Sequence, residues 1–257
     1  MDLGIAGMWA IVGASSRGLG KGCAAALLRA GCHVVINGLD EERLDQTRAE
    51  LSGLGDVHTV AGDVGTPEVR AQFMSTCPQV DILVTNNGGP PVAAFEELEP
   101  SHIMAGIEKN MITPITLIQA ALPGMKERRF GRIVNITSSS VLAPIPGLDV
   151  SSGARAGLTG LLAGVAKTAA GHNVTINNLL PGKMDTDRLR GNLKAQAKRS
   201  GKSEHDVADA SIQSIPAGRF GTADEFGEVC AFLCSQQAGY LTGQNILLDG
   251  GLLGRAF

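Results

Sequence analysis

The chain has 257 residues, 44% of them hydrophobic, and a net charge of −3 at pH 7; this length suits one α/β domain around a single substantial core. With no basic run and only seven Phe, one Trp and one Tyr, it shows no electrostatic footprint for nucleic acid or a membrane surface, which leaves a small molecule as the expected partner. No apolar stretch approaches the roughly 20 residues of a membrane span, and the opening MDLGIAGMWAIVG has no basic start followed by a long apolar core, so a cytoplasmic protein is expected.

In chain order, short apolar runs appear at MWAIVGA (8–14), HVVING (33–38), VHTVAGDV (57–64), DILVTNNG (81–88), GRIVNITS (131–138), TINNLLPG (175–182) and NILLDGG (245–251). Their length and their Gly, Asn and Asp punctuation predict buried strands. Between them apolar residues recur at helical spacing, as at Ala24, Leu27 and Leu28 after the first run and Leu158, Leu161, Leu162 and Val165 after the fifth. Parallel neighbours require helical crossovers, so this alternation predicts an α/β, doubly wound parallel sheet of about seven strands in a single domain over residues 1–257. The polar interlude at 183–215 is expected to be an excursion that covers a substrate. Five cysteines, Cys23, Cys32, Cys77, Cys230 and Cys234, make no CxxC or mixed Cys/His pattern, so neither a disulfide framework nor a metal site is expected.

The first turn, GASSRGLGKG, lies between a predicted strand and a predicted helix, at the sheet edge where doubly wound folds bind ligands. Gly18 and Gly20 carry no Cβ to hold a phosphate away from the backbone, and a helix N-terminus offers unpaired N–H groups with a positive dipole end. A pyrophosphate fits such a turn, although glycine there can also serve backbone angles alone.

Seven motifs now stand in order. GASSRGLG (13–20) resembles TGxxxGxG, Asp63-Val64 an adenine contact, TNNG (85–88) NNAG, Asn110 a helix asparagine, Ser138 a catalytic serine, PGKMDT (181–186) PGxxxT, and YLTGQNILLDGG (240–251) a C-terminal strand. By these the chain resembles the short-chain dehydrogenases/reductases, in the branch of 3-oxoacyl-(acyl carrier protein) reductases. The resemblance implies a Rossmann-type fold, oxidoreductase activity and a dinucleotide held by Gly13, Ser15, Ser16, Arg17, Gly18, Leu19, Asn37, Asp63, Val64, Asn86, Gly88, Arg155, Pro181, Gly182 and Thr186. It also implies catalytic positions at Asn110, Ser138, Ser151 and Arg155. Departures exist: Gly13 and Ala14 stand for Thr and Gly, and Thr85 and Asn87 for Asn and Ala.

The largest departure follows Ser138. The family carries a tyrosine thirteen residues after that serine and a lysine four further on; here those positions are Ser151 and Arg155. Four residues keep both side chains on one helical face, so the arrangement survives while its chemistry changes. A phenol has a reference pKa near ~10 that neighbouring charges can lower into a useful range, whereas an alkyl hydroxyl is far less acidic and arginine stays protonated. No obvious substitute exists. Tyr240 is expected to pack in the core, and His33, His58, His102, His172 and His205 fall outside the motifs, with His205 alone able to swing over a ligand. Lys183 is expected to face solvent or a phosphate, and Asp149 to cap a helix.

Hydride transfer still needs only a positioned nicotinamide and a polarised carbonyl. The expected function is therefore NAD(P)-dependent oxidation or reduction of a carbonyl/alcohol substrate, with Ser138 and Ser151 holding the oxygen, Arg155 stabilising developing charge, and water near Asn110 supplying the proton. Three alternatives stay open: Ser151 starting a helix while Arg155 binds an anion without chemistry, a cofactor-binding sensor, and a non-redox enzyme. NADP (NADPH) is favoured over NAD, because the second strand ends Ile36-Asn37-Gly38-Leu39 without a carboxylate, Asp40 reads as a helix cap and Arg17 can face a 2′-phosphate. Pro90, Pro91, Met184, Leu189 and Ile212 are expected to wall the pocket, and Arg188, Arg190, Lys194 and Lys198 to form a solvated helix face. The small-residue face Gly153, Ala156, Gly157 and Gly160 suggests a homotetramer or homodimer.

Overall fold

The computed structural model describes residues 2–89 and 92–254, so Pro90 and Pro91 lie outside the described residues. Seven strands occur among them: β1 (Trp9–Val12), β2 (His33–Gly38), β3 (Val57–Ala61), β4 (Ile82–Thr85), β5 (Gly131–Ile136), β6 (Val174–Pro181) and β7 (Asn245–Leu248). They form one all-parallel sheet in the order β3-β2-β1-β4-β5-β6-β7. The helices are α1 (Gly18–Arg29), α2 (Glu41–Leu51), α3 (Pro67–Ser75), α4 (Pro100–Ile107), α5 (Thr113–Arg128), α6 (Asp149–Ala170), α7 (Asp187–Ser200), α8 (Glu204–Gln213) and α9 (Ala223–Cys234). This is the expected doubly wound architecture. Each predicted run holds one strand, but most give their Gly-, Asn- or Asp-bearing ends to loops at the C-terminal edge.

Both faces of the sheet are covered, which is why the strands read as unbroken apolar runs. In β1, Ala10 and Val12 face the layer of α1, α2 and α9, where Leu27, Leu28, Leu44 and Phe226 are buried; Ile11 faces the layer of α5 and α6, with Leu117, Met125, Leu158 and Leu162. Each such buried side chain contributes roughly 1.5–3 kcal/mol. Helices α1 and α9 touch backbone to backbone, since a Cβ at Gly22 would strike the Ala223 carbonyl and one at Gly227 the Gly22 carbonyl. All five cysteines are free and buried. Among the described residues, no helix is long and apolar enough to cross a membrane.

Several local expectations are corrected. Tyr240 is fully exposed; the chain ahead of β7 turns on itself through Gly239 N–H to Gln236 O (3.1 Å) and Leu241 N–H to Ala238 O (2.9 Å), and the ring points outward. Leu161 lies off the buried stripe of α6 that Leu158 and Leu162 define, and is 45% exposed. Gly157 is absorbed inside the chain, where a Cβ would sit 2.9 Å from Met111 Sδ, while Gly153 and Gly160 face open space. The interlude at 183–215 folds as α7 and α8, capped by the hydroxyls of Thr186 and Ser203. Asp40 caps α2 as expected, accepting from Arg43 N–H at 3.1 Å.

A polar chain, buried except at its Asn245 end, crosses the C-terminal half of the sheet. Thr85 Oγ1 donates to Asn135 Oδ1 (2.6 Å), Asn135 Nδ2 to Asn178 Oδ1 (3.0 Å), and Asn178 Nδ2 to Asn245 Oδ1 (2.8 Å). These residues are in register across β4, β5, β6 and β7. Because each group is satisfied by its neighbour, the row fixes the strand ends that carry Asn86, Ser138 and Pro181.

Candidate active site

The sheet order reverses at β1 and β4, and the glycine turn and the loop after β4 lie at that switch point. The turn is held from within. Ser15 is fully buried, its Oγ donating to Val12 O (2.7 Å) and accepting from Asn37 N–H (2.9 Å). Asn37 in turn accepts from Ala14 N–H (3.3 Å) and donates to Val60 O (2.9 Å) and Gly62 O (3.0 Å). Ser15 and Asn37, expected to touch the cofactor, thus have their side chains committed to shaping the turn. Gly18 has a φ of +57°, the left-handed conformation glycine permits, and a Cβ at Gly20 would overlap the Ala14 carbonyl. Gly20 therefore serves the packing of the turn on α1, and Gly18 its backbone angle.

The residue before α1, Arg17, makes no side-chain cap, so the first N–H groups of the helix remain open to a ligand. Asn86 Nδ2 donates to Ala14 O (3.1 Å), tying the loop after β4 to the turn. Thr186 caps α7 by accepting from Leu189 N–H (3.4 Å), and its methyl would meet a Gly18 Cβ at 3.7 Å. Pro181 and Gly182 leave the end of β6, where a Cβ at Gly182 would crowd Asp249. At the far side Asp63 accepts from Gly65 N–H (2.8 Å) beside the buried Val64. The uncapped helix start and glycine cradle fit the phosphates of a dinucleotide. Next to them lies a cleft of about 480 Å³ lined by Arg17, Lys21, Arg43, Asp187 and Arg190, among others. Arg17 (3.7 Å) and Arg43 (3.5 Å) share Asp187. Arg43 is absent from the sequence reading because it lies one helical turn beyond Leu39, the position inspected for a second basic residue.

The other end of the crevice gathers the expected catalytic positions. Asn110 sits in a π-helical turn (Glu108–Ile112) between α4 and α5, a local irregularity common at functional sites. It is 1% exposed; its Nδ2 donates to Gly88 O (3.4 Å), while its Oδ1 has no partner. Ser138 follows β5, and its Oγ accepts from Ser140 N–H at 3.1 Å. On the first turns of α6, Arg155 Nε donates to Ser151 Oγ (3.2 Å) and Arg155 Nη1 to Ile136 O (2.6 Å). Both side chains are buried, at 5% and 8% exposure. Ser151 is the third residue of its helix and caps nothing, so that reading of it is set aside. Burial, reinforced by the nearby Arg188 charge, pushes the Arg155 guanidinium down to about 10, which leaves it cationic at neutral pH.

Arg188 is exposed, as expected for the solvated face of α7, and its guanidinium lies against Gly89, where a Cβ would overlap it. Lys183 does not face a phosphate, since its Nζ donates to Ser211 Oγ (2.9 Å) and Ser214 Oγ (3.0 Å). Met184 is buried in the core beside Gly221 instead of walling a pocket. Asp149 is the exposed first residue of α6 and caps nothing, because Leu148 occupies the cap position. His205 is exposed and pairs with Asp209 at 3.1 Å, turned to its own helix.

A doubly wound parallel sheet with a glycine turn at its switch point and a polar crevice beside it defines a Rossmann-type protein. The family model described as enoyl-(acyl carrier protein) reductase matches residues 13–253, and the chain belongs to that family, within the short-chain dehydrogenases/reductases, which are oxidoreductases. It is 30% identical over 260 residues to the uncharacterized oxidoreductase YvrD of Bacillus subtilis, covering 98% of this chain and 99% of the relative. It is 31% identical over 260 residues to the 3-oxoacyl-(acyl carrier protein) reductase FabG of Chlamydia pneumoniae, covering 98% and 99%. The solved L-sorbose reductase of Gluconobacter frateurii, complexed with NADPH and L-sorbose, superposes with a TM-score of 0.92 at 26% identity, covering 99% of this chain and 100% of that one.

Proposed function

We propose that the protein is an NADPH-dependent reductase of a small carbonyl compound, in which Ser138, Ser151 and Arg155 replace the customary acid relay. The observation that carries this reading is the bonding of the two hydroxyls. Each accepts one hydrogen bond from the protein, Ser151 from Arg155 and Ser138 from the Ser140 N–H, which leaves each O–H free to donate to a substrate oxygen. When bound, a nicotinamide supplies the hydride. As charge grows on the carbonyl oxygen, the two hydroxyls and the buried cation of Arg155 stabilise it as an oxyanion hole does. The unpartnered Asn110 Oδ1 can hold a water, and water delivers the proton, because neither an alkyl hydroxyl nor an arginine held near 10 is an efficient acid at neutral pH.

Arg17 and Arg43, with no carboxylate at the end of β2, support NADPH over NADH, as does the NADPH of the sorbose reductase. The fold's position for α7 and α8 supports their role as the substrate cover, and the open Gly153 and Gly160 on α6 support assembly into a homotetramer or homodimer in the cytoplasm; a single 26.6 kDa species on gel filtration would remove the assembly. A cofactor-binding sensor is the second reading, favoured by Tyr240, the chain's one tyrosine, being exposed ahead of β7. Fluorescence titration with NADPH and NADH, then a carbonyl panel scored for cofactor oxidation, decides between them. Tighter NADPH binding with turnover that falls on Arg155→Ala is expected. Binding without any oxidation favours the sensor and overturns the reductase.

A further inference from the structure

Arg155 and Arg188 lie near enough for the charge of one to act on the other, and among the described residues neither pairs with a carboxylate. Arg155 has five N–H donors, of which Nε is used by Ser151 and one on Nη1 by Ile136 O, leaving three unused in a side chain that is 8% exposed. Arg188 is exposed, donates to no protein group and pairs with no carboxylate among the described residues, and its guanidinium is laid over Gly89. Gly88, the residue before, accepts from Asn110 Nδ2 at 3.4 Å, so the Arg188 guanidinium rests on the loop that Asn110 holds. The mutual repulsion that helps lower Arg155 agrees with that proximity.

The two acids nearest Arg188 in the chain are already paired. Asp185 is held by Arg190 through two hydrogen bonds (2.9 and 3.0 Å), Asp187 by Arg17 and Arg43, and Asp149 is exposed at the start of α6. Lys183, the third cation of this wall, is turned away onto Ser211 and Ser214. A buried cation with a second cation near it is unfavourable unless an anion joins them, and guanidinium forks match the two oxygens of a carboxylate.

We propose that Arg155 and Arg188 clamp a carboxylate, and that the substrate is an oxo acid whose carboxylate lies within a few bonds of the carbonyl to be reduced. The proposal rests on the reductase reading for its chemistry: the carbonyl carbon gains a C–H bond from the hydride, its oxygen takes a proton from water, and a hydroxy acid and the oxidised dinucleotide are the products. The clamp itself is testable without turnover.

Two matched pairs serve as probes. The first is 2-oxobutanoate and its methyl ester, assayed by NADPH oxidation. The second is malonate and dimethyl malonate, which cannot be reduced, titrated calorimetrically into the protein with NADP⁺. The expected result is a preference for the acid of about tenfold or more in kcat/KM, carried mainly by KM, and binding of malonate but not of its ester. Arg188→Met should reduce the preference about tenfold and abolish malonate binding, with Arg188→Lys retaining part of both and thermal melts confirming that each variant folds. Equal use of acid and ester, or malonate binding unchanged in Arg188→Met, overturns the clamp. Weakened NADPH binding with acid binding intact also overturns it, by assigning Arg188 to a cofactor phosphate. Failure of every carbonyl to react while malonate still binds through Arg188 refutes the reductase and leaves the clamp standing.

Discussion

Replacing Arg155 by methionine separates a functional charge from a structural one. The guanidinium is buried and held at about 10, well below its ordinary value. That difference corresponds to about 3 kcal/mol by which folding disfavours the cation. The sign follows from proton binding: above about pH 10 and below the ordinary guanidinium value, the unfolded chain holds the proton and the folded one releases it, so stability rises with pH there, and below pH 10 the whole cost is present. Methionine of similar length removes the cost but also removes the bonds to Ser151 Oγ and Ile136 O. Two charge-assisted bonds contribute about 3 kcal/mol together, and the gains and losses nearly cancel. Arg155→Met should therefore change unfolding free energy by no more than about 1 kcal/mol, where truncation of a structural buried pair usually costs ~3–5 kcal/mol. Turnover should fall by roughly 100-fold or more, the range seen when one oxyanion donor is lost. Urea denaturation and NADPH oxidation measure the two quantities on the same preparation. A loss of stability near 4 kcal/mol with little change in rate would show that Arg155 ties β5 to α6 and has no part in chemistry.

Other substitutions probe the supports of the site. Ala14 has a φ of +43°, unfavourable for a residue with a Cβ, so Ala14→Gly should stabilise by about 0.5–1 kcal/mol in urea denaturation, and a loss would refute strain in the turn. Asn135 exchanges hydrogen bonds with Thr85 and Asn178 inside the sheet, so Asn135→Ala should cost about 2–4 kcal/mol by the same measurement, with a cost under 1 kcal/mol contradicting the polar chain. Arg43→Ala should lower the NADPH over NADH preference by about tenfold in fluorescence titration, and an unchanged ratio would remove Arg43 from cofactor choice.

The architecture was legible because a sheet covered on both faces leaves apolar runs that need no partner to be recognised. All seven strands lie on such runs, and once the resemblance placed Ser151 and Arg155, their four-residue spacing put both on one helical face. What the sequence concealed depends on long-range contact. Arg188 reads as one charge among several on α7, and only the path of the loop after β4 brings Gly89 beneath it. Ser15 and Asn37 look like ligand contacts because polar residues near a glycine turn often are; their burial and mutual bonding appear only when β1, β2 and β3 are assembled. Asn135, Asn178 and Asn245 interrupt apolar strands without explanation until the register places them side by side. Tyr240 was misread because aromatic size predicts burial, whereas local turns before an edge strand decide where that ring points.

The pH dependence of kcat/KM for a reduced carbonyl bears most directly on the Ser151 and Arg155 chemistry. With water as proton source and Arg155 cationic up to about 10, the profile should be flat from pH 7 to 9 and fall as pH rises through about 10. A break between pH 7 and 8 that persists in Arg155→Met would reveal a titrating side-chain acid and contradict that chemistry.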